Sequence, residues 1–140
     1  MEWTTRTDTG GFPLRWCDAL ARRWYAEGFW TRETLVDAAR RRLSEDPGHV
    51  FQIEGERRMS RAQVWDGALR LAGYFRERGL VPGDVVSIQL PNWMETAVIA
   101  LAARMAGLVI NPVPPIYRES EIAYILSDCR SRLIFVPGVF

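Results

Sequence analysis

The stretch that most narrows what this chain can fold into runs from Asp84 to Arg118, DVVSIQLPNWMETAVIALAARMAGLVINPVPPIYR. Val85 to Leu90 reads as a buried strand, about Met94 to Ala106 as a helix, and Leu108 to Ile110 as a second strand ending in a proline-rich turn. Together they make a βαβ unit. Met94, Ala97, Val98, Leu101, Ala102 and Met105 recur at helical spacing on one face, while Ile99, Ala100 and Ala103 make the other face apolar, so the helix should be packed on both sides. Val98, Leu101 and Met105 are the expected anchors, each contributing roughly 1.5–3 kcal/mol when fully buried. Asn92 and Glu95 are spaced as a capping box, with Asn in place of Ser or Thr, and Gly107 suits the left-handed closure of the helix. Arg104 interrupts the apolar run from Ala97 to Ile110, which is also short of the ~20 apolar residues of a membrane span.

On either side of this unit the chain is punctuated by glycine and proline. Residues 1 to 15 read as an irregular lead-in opposed to regular structure by Gly10, Gly11 and Pro13. A short helix from Trp16 to about Glu27 follows, with Leu20, Trp24 and Tyr25 as its apolar positions and Gly28 closing it. Thr31 is the expected cap of a second helix, about Arg32 to Ser44, with Leu35, Val36, Ala39 and Leu43 inward. Val50 to Glu54 and Arg57 to Met59 form a small hairpin about Gly55. Ser60 and Gln63 make a capping box opening a helix of about Arg61 to Arg78, whose inner face is Val64, Ala68, Leu71, Ala72 and Phe75. After Pro112, Pro114 and Pro115 comes a helix of about Glu119 to Ser127, with Ile122, Ile125 and Leu126 inward, and then a short buried strand, Leu133 to Val136. The pattern β–α–β–α–β has crossovers that permit only parallel pairing. Right-handed crossovers between neighbouring strands would set the helices on one face of the sheet. The expected fold is therefore α/β, a βαβαβ parallel sheet unit preceded by helices and a small hairpin. It is also expected to be incomplete, because the chain stops four residues past its last strand with one sheet face unclothed.

Composition bounds the chemistry. Hydrophobic residues make up 48% and charged residues 25%, with a formal net charge of +1, which fits a globular chain and calls for no polyanionic partner. Arg40, Arg41 and Arg42 therefore read as a solvated helix face and not as a nucleic-acid patch. Cys17 and Cys129 stand far apart and His49 is the single histidine, so neither a disulfide framework nor a zinc site is expected, and a reducing cytoplasm is the default. All 18 basic residues are arginine, which excludes Schiff-base chemistry and a phosphate-binding P-loop lysine within this chain. The first strand is followed by Pro91, Asn92 and Trp93 instead of the glycines of a dinucleotide site. His49 lies beside the hairpin with no nucleophile motif and reads as a turn residue. Asp84 belongs to turn chemistry, and Glu119, Glu121 and Asp128 to helix ends. Arg118 follows a strand-end loop, where ligands of open α/β sheets sit, and is the one charge worth testing against a reading as a solvated loop residue.

The segments Gln89–Glu95 (QLPNWME), Asn111–Glu119 (NPVPPIYRE) and Glu121–Leu126 (EIAYIL) resemble the N-terminal region of adenylate-forming acyl-CoA synthetases. Pro82-Gly83-Asp84 before them and Leu133–Val136 after them are similarly spaced. LPNW together with PPIYRE is most similar to cyclohexanecarboxylate–CoA ligases and related medium-chain or aryl acid ligases. The resemblance implies the N-terminal portion of the large domain of such an enzyme, with residues 1–30 a lead-in and 31–140 the first part of the AMP-binding domain. It implies ATP, magnesium and coenzyme A as cofactors of the parent enzyme, a small carboxylic acid as substrate, and acyl-adenylate followed by acyl-CoA as products. The phosphate loop with its lysine, the acid that holds the ribose and the lysine of the C-terminal domain match no position here. No catalytic, cofactor-binding or metal-binding residue can be carried over, and the 140-residue chain by itself is expected to bind none of these cofactors. The alternative is a non-catalytic interaction or regulatory module descended from such an enzyme. A homo-oligomer, or pairing with a missing remainder of the chain, would cover the open sheet.

Overall fold

The computed structural model describes residues 2–8 and 10–138. In chain order its elements are β1 (Thr4–Thr7), β2 (Pro13–Trp16), α1 (Asp18–Ala26), α2 (Leu35–Glu45), β3 (Val50–Glu54), β4 (Arg57–Ser60), α3 (Arg61–Glu77), β5 (Val85–Ile88), α4 (Met94–Met105), β6 (Val109–Pro112), α5 (Glu119–Asp128) and β7 (Ser131–Phe135). The lead-in is not irregular: β1 and β2 form an antiparallel hairpin. Its turn is built by Asp8, whose Oδ1 accepts from the backbone N–H groups of Gly10 and Phe12 at 2.9 and 2.8 Å, the local side-chain turn that Asp offers in place of a backbone ladder. Asp18 then ties this hairpin to α1, accepting from Arg6 at 2.7 Å and from the Trp16 indole at 2.9 Å.

Two helix caps differ from the expectation. Thr34, not Thr31, caps α2, because Asp37 lies three residues after it and returns the bond to the cap. Three residues after Thr31 stands Thr34, a residue that a capping box does not use for the return bond. Asn92 does not cap α4. Trp93 occupies the cap position without a side-chain bond, and the orphan N–H of Met94 donates to Glu54 Oε2 of β3 at 2.8 Å. Glu95, freed from a capping role, pairs with Arg57 of β4 at 3.1 Å. The Ser60–Gln63 capping box forms as expected at the start of α3. Gly28, Gly79 and Gly107 close α1, α3 and α4 at positive φ of 78°, 75° and 72°.

The parallel sheet has the order β6–β5–β7. β5 pairs with β6 from Val85↔Val109 to Ile88↔Pro112, so β6 runs further than Ile110 and carries a proline. As an edge strand β6 can tolerate that proline, since no neighbour awaits its N–H. Because β5 is central, the chain moves to one side of it through α4 and to the other through α5. Right-handed connections that reverse direction put their helices on opposite faces, which corrects the expectation of a single helical face. The side chains agree. Phe75, Ala68 and Ala72 of α3 and Ala102 and Ala103 of α4 pack on Val86, with Ile110, Leu133 and Phe135 around them. The next residue of β5, Ser87, points the other way and meets Ser131 and Asn111, and Asn111 reaches Cys129 at the end of α5.

The buried face of α4 is Met94, Ile99, Ala102 and Ala103, whereas Val98, Leu101 and Met105 are half-buried. The small alanines face the sheet because they let α4 approach α3 and β5 closely, and the larger residues fill the flanks. Facing Val98 on α3 is Gly67, where a Cβ would stand 3.0 Å from Val98 Cγ1. α2 rests on α3 and α4 without a fully buried residue, and its expected inner residue Leu35 is 64% exposed. No helix among the described residues is long and apolar enough to cross a membrane.

Candidate functional site

Open parallel sheets bind ligands outside the carboxyl ends of their strands, where the winding changes direction. Here that place is the end of β5, flanked by β6 on one side and β7 on the other. The backbone N–H of Gln89 continues the pairing by donating to Phe135 O at 2.9 Å. The side chain of Gln89 is 4% exposed, and its Nε2 donates to the carbonyls of Tyr117 at 3.0 Å and Pro114 at 3.4 Å. A buried amide needs partners, since leaving one unsatisfied costs roughly 1–3 kcal/mol. Gln89 therefore works as a clamp holding the proline-rich loop against the sheet edge. On the far side of β5, Thr96 Oγ1 donates to Pro91 O at 2.9 Å and fixes the loop of Pro91, Asn92 and Trp93 above α4.

Between the β3–β4 hairpin, α4 and the end of β7 lies a cavity of about 630 Å³. Leu90, Trp93, Val98 and Phe135 supply apolar wall, and Glu54, Arg57 and Glu95 stand at it as charged groups. Arg57 bridges the two acids, at 3.6 Å from Glu54 and 3.1 Å from Glu95. The Glu95 carboxyl is held below its ordinary value by a bond from its own backbone N–H and then by Arg57. Arg57 thus pairs with both carboxylates while Glu54 caps α4, an arrangement that shapes the cavity and leaves it one negative charge in excess.

Arg118, the charge singled out from sequence, sits at the cap position of α5 and is exposed. Its Nη1 curls onto the carbonyls of Pro115 and Tyr117 at 3.2 and 3.3 Å, and its backbone N–H donates to Glu121 at 3.1 Å. Glu121 is in turn lowered by its own backbone N–H, then by that of Arg118 and by Ser120. Arg118 thus stiffens the same loop that Gln89 clamps. His49 is in the loop before β3, 3.7 Å from Asp46. Arg41 and Arg42 pair with Glu33 and Glu45, and Arg40 lies over the Trp65 ring. Asp84 accepts from Val81 N at 2.9 Å and Arg132 at 3.4 Å, as a turn residue should. Sequence reasoning did not single out Gln89, Glu54 or Arg57 as working residues. Gln89 carried a signal, an amide in an otherwise apolar strand, but Glu54 and Arg57 meet α4 only through tertiary folding.

Among the described residues no three His, Cys, Asp or Glu side chains gather as a metal site. The carbonyls of the strand-end loop are taken by Gln89 and Arg118, and the acids by Arg57 and backbone donors. Among the described residues, therefore, this edge gathers no set of side chains that fits a magnesium–nucleotide group.

Residues 39–139 match the family described as AMP-binding enzyme, and the chain belongs to that family. It is 29% identical over 115 residues to the medium-chain fatty-acid–CoA ligase of Escherichia coli K12, covering 81% of this chain and 20% of that protein. Against the 2-hydroxy-7-methoxy-5-methyl-1-naphthoate–CoA ligase of Streptomyces carzinostaticus it is 30% identical over 125 residues, 89% of this chain and 22% of the relative. The apo structure of Mycobacterium smegmatis MbtA superposes with a TM-score of 0.78 at 27% identity, over 85% of this chain and 23% of that one. The N-terminal subdomain of Klebsiella oxytoca NpsA, at 23% identity and a TM-score of 0.71 over 77% of this chain and 28% of its own, shares the fold. The chain spans about a fifth of the length of the curated relatives it matches.

Proposed function

We propose that this chain forms the leading part of an ATP-dependent carboxylic acid–CoA ligase acting on a medium-chain, alicyclic or aryl acid. In this reading residues 31–140 are the first part of the adenylation domain and residues 1–30 a lead-in to it. Supporting that division, the family match begins at residue 39. ATP with magnesium would supply the AMP leaving group and coenzyme A the accepting thiol, in the cytoplasm where both are drawn. The described residues supply none of the groups that hold them. Their work is to set the carboxyl edge: Gln89 and Arg118 fix one loop, Thr96 the other, and Glu54 the start of α4. The observation that carries the reading is the family match laid over a central strand that delivers Gln89 to Trp93 to that edge. The named activities of the relatives, both acid–CoA ligases, support it.

Carboxylate-dependent ATP–pyrophosphate exchange tests it in two arms. The 140-residue chain alone should show none, and exchange from it would overturn the argument from its missing lysine. The same segment, substituted for the matching fifth of the E. coli ligase, should sustain exchange. A folded, soluble chimera without exchange would refute the scaffold role.

A further inference from the structure

Among the described residues Arg130 is the one residue other than glycine with a positive φ, at 54°. It follows the cap of α5, and its backbone N–H donates to Ser127 O at 3.2 Å. This is the left-handed closure for which α1, α3 and α4 use Gly28, Gly79 and Gly107. A Cβ makes that conformation costly, so an arginine held there points to work done by its side chain. Its guanidinium lies over the ring of Phe12, 5.6 Å from the centroid, within reach of a cation–π contact. Phe12 follows the turn of the β1–β2 hairpin, so the contact joins that hairpin to the turn between α5 and β7.

Beside it Gly10 meets the turn that leads into β5. Gly83 is buried in that turn with its N–H bonded to Gly107 O at 2.9 Å, and a Cβ on Gly10 would stand 2.8 Å from Gly83 O. A side chain there would collide with the carbonyl, and glycine lets the hairpin come close. The hairpin tip thus rests at the amino ends of two neighbouring strands, β5 through Gly83 and β7 through Arg130, away from Gln89 and the carboxyl edge. At its base the hairpin is held by Asp18, through Arg6 and Trp16, and by Trp16 packing on Trp30 with 6.1 Å between centroids. Between these two holds both strands are exposed from Thr4 to Thr7 and from Pro13 to Arg15. A two-stranded ribbon is marginal by itself in water, so the order of this one depends on its holds.

We infer that the β1–β2 hairpin is a strap across the amino end of the parallel sheet, latched at its tip by Gly10 on Gly83 and Phe12 under Arg130, and able to open as a unit while α3, α4 and the sheet stay folded. The latch is one close backbone approach and one cation–π contact, small beside the core of Phe75, Val86, Ala102 and Ala103, so it gives way first. The hold on Asp18 then serves as the hinge. The inference does not rest on the ligase reading, since every contact it uses lies within the chain and away from the carboxyl edge.

Native-state hydrogen exchange of the 140-residue chain, read peptide by peptide, tests it. Gly10→Ala, which forces the tip off Gly83, and Phe12→Ala, which removes the ring, should each speed exchange across residues 4–16 by about tenfold, with α3 and α4 exchanging as in the wild type. Arg130→Gly should speed exchange of the hairpin about two- to fivefold, yet melt at or above the wild-type temperature, because its left-handed turn no longer carries a Cβ. Arg130→Lys, which keeps a cation over the ring, should retain much of the protection. Adding Arg130→Gly to Phe12→Ala should change the hairpin no further. A wild-type hairpin exchanging at the rate of unfolded chain would overturn the strap, as would one whose protection survives both Gly10→Ala and Phe12→Ala. Exchange rising as much in α3 and α4 as in the hairpin, or circular dichroism lost in either variant, would make the tip part of the core and overturn it too. Arg130→Gly with a lowered melting temperature and an undisturbed hairpin would remove the arginine from the latch and refute the inference.

Discussion

Gly67 lies in the middle of α3, where glycine costs roughly 0.5–1 kcal/mol relative to alanine. The seam with α4 explains its presence, since a Cβ at that position would stand 3.0 Å from Val98 Cγ1 and 3.6 Å from Cγ2. Val98 cannot swing clear, because a β-branched side chain in a helix is confined to essentially one rotamer. Relief would require the helices to part, and forcing an extra methyl into a packed seam costs roughly 1–3 kcal/mol. Gly67→Ala therefore combines a gain of at most about 1 kcal/mol with a larger overlap, and should destabilise by about 0–2 kcal/mol. Gly73 on the same helix is the control, for nothing lies within 4 Å of its added Cβ and its φ is not positive. Gly73→Ala should stabilise by about 0.5–1 kcal/mol, a rise in melting temperature of about 2–4 °C. In a Val98→Ala background Gly67→Ala should recover the helical gain, giving a coupling of about 1–2 kcal/mol in a double-mutant cycle. Thermal and urea unfolding of the five chains measure all of this. If Gly67→Ala raises the melting temperature as much as Gly73→Ala does, α3 and α4 stand further apart than this contact requires and the argument fails.

Glu54→Ala removes the tertiary cap of α4 and should cost about 1–2 kcal/mol, with Glu54→Gln recovering part; urea midpoints equal to wild type for both would show that Met94 N finds another acceptor. Ser87→Ala strips the buried bonds to Ser131 and Asn111 and should cost about 1–3 kcal/mol, more than Ser120→Ala on the surface, and the reverse order in urea titrations would contradict the buried network. Asp18, Asp37, Glu45, Glu95 and Glu121 all carry lowered values. Depressed carboxylates contribute stability that is complete above their unfolded values, 3.8 for Asp and 4.5 for Glu, and that is lost as pH falls through the lower folded ones. The unfolding midpoint should therefore be flat near neutrality and decline on acidification below that range. A midpoint that rises on acidification would reverse the sign of these contacts.

The elements most legible in the sequence are those whose signal is local. Ser60 with Gln63 announces α3, Gly107 announces the end of α4, and the apolar run of β5 announces a strand with both faces covered, since Val85 to Ile88 are all buried. The N-terminal hairpin was not legible, because Asp8 makes its turn through bonds to Gly10 and Phe12 that a glycine-rich stretch shows equally well as disorder of pattern. Strand order was not legible either. Nothing in the spacing of two crossovers says whether β7 returns past β5, yet that single fact decides whether the helices share a face.

The site was legible as a motif and illegible as a device. Pro91 to Trp93 and Pro112 to Arg118 stand out in sequence because prolines and aromatics cluster there, but what fixes them is the Thr96 hydroxyl reading a carbonyl of the first loop and the buried Gln89 amide reading two of the second, and backbone carbonyls have no sequence. The same holds on the other side of β5, where Glu54 caps a helix that begins 40 residues later in the chain. A scaffold that acts through its main chain can diverge widely in side chains while keeping its shape, which accounts for 23% identity alongside a TM-score of 0.71. It also explains why the charges that drew the eye, Arg118 and the Arg40–Arg42 run, turn out to fold onto their own loops, acids and rings, whereas the least conspicuous polar residue of the central strand holds the edge together.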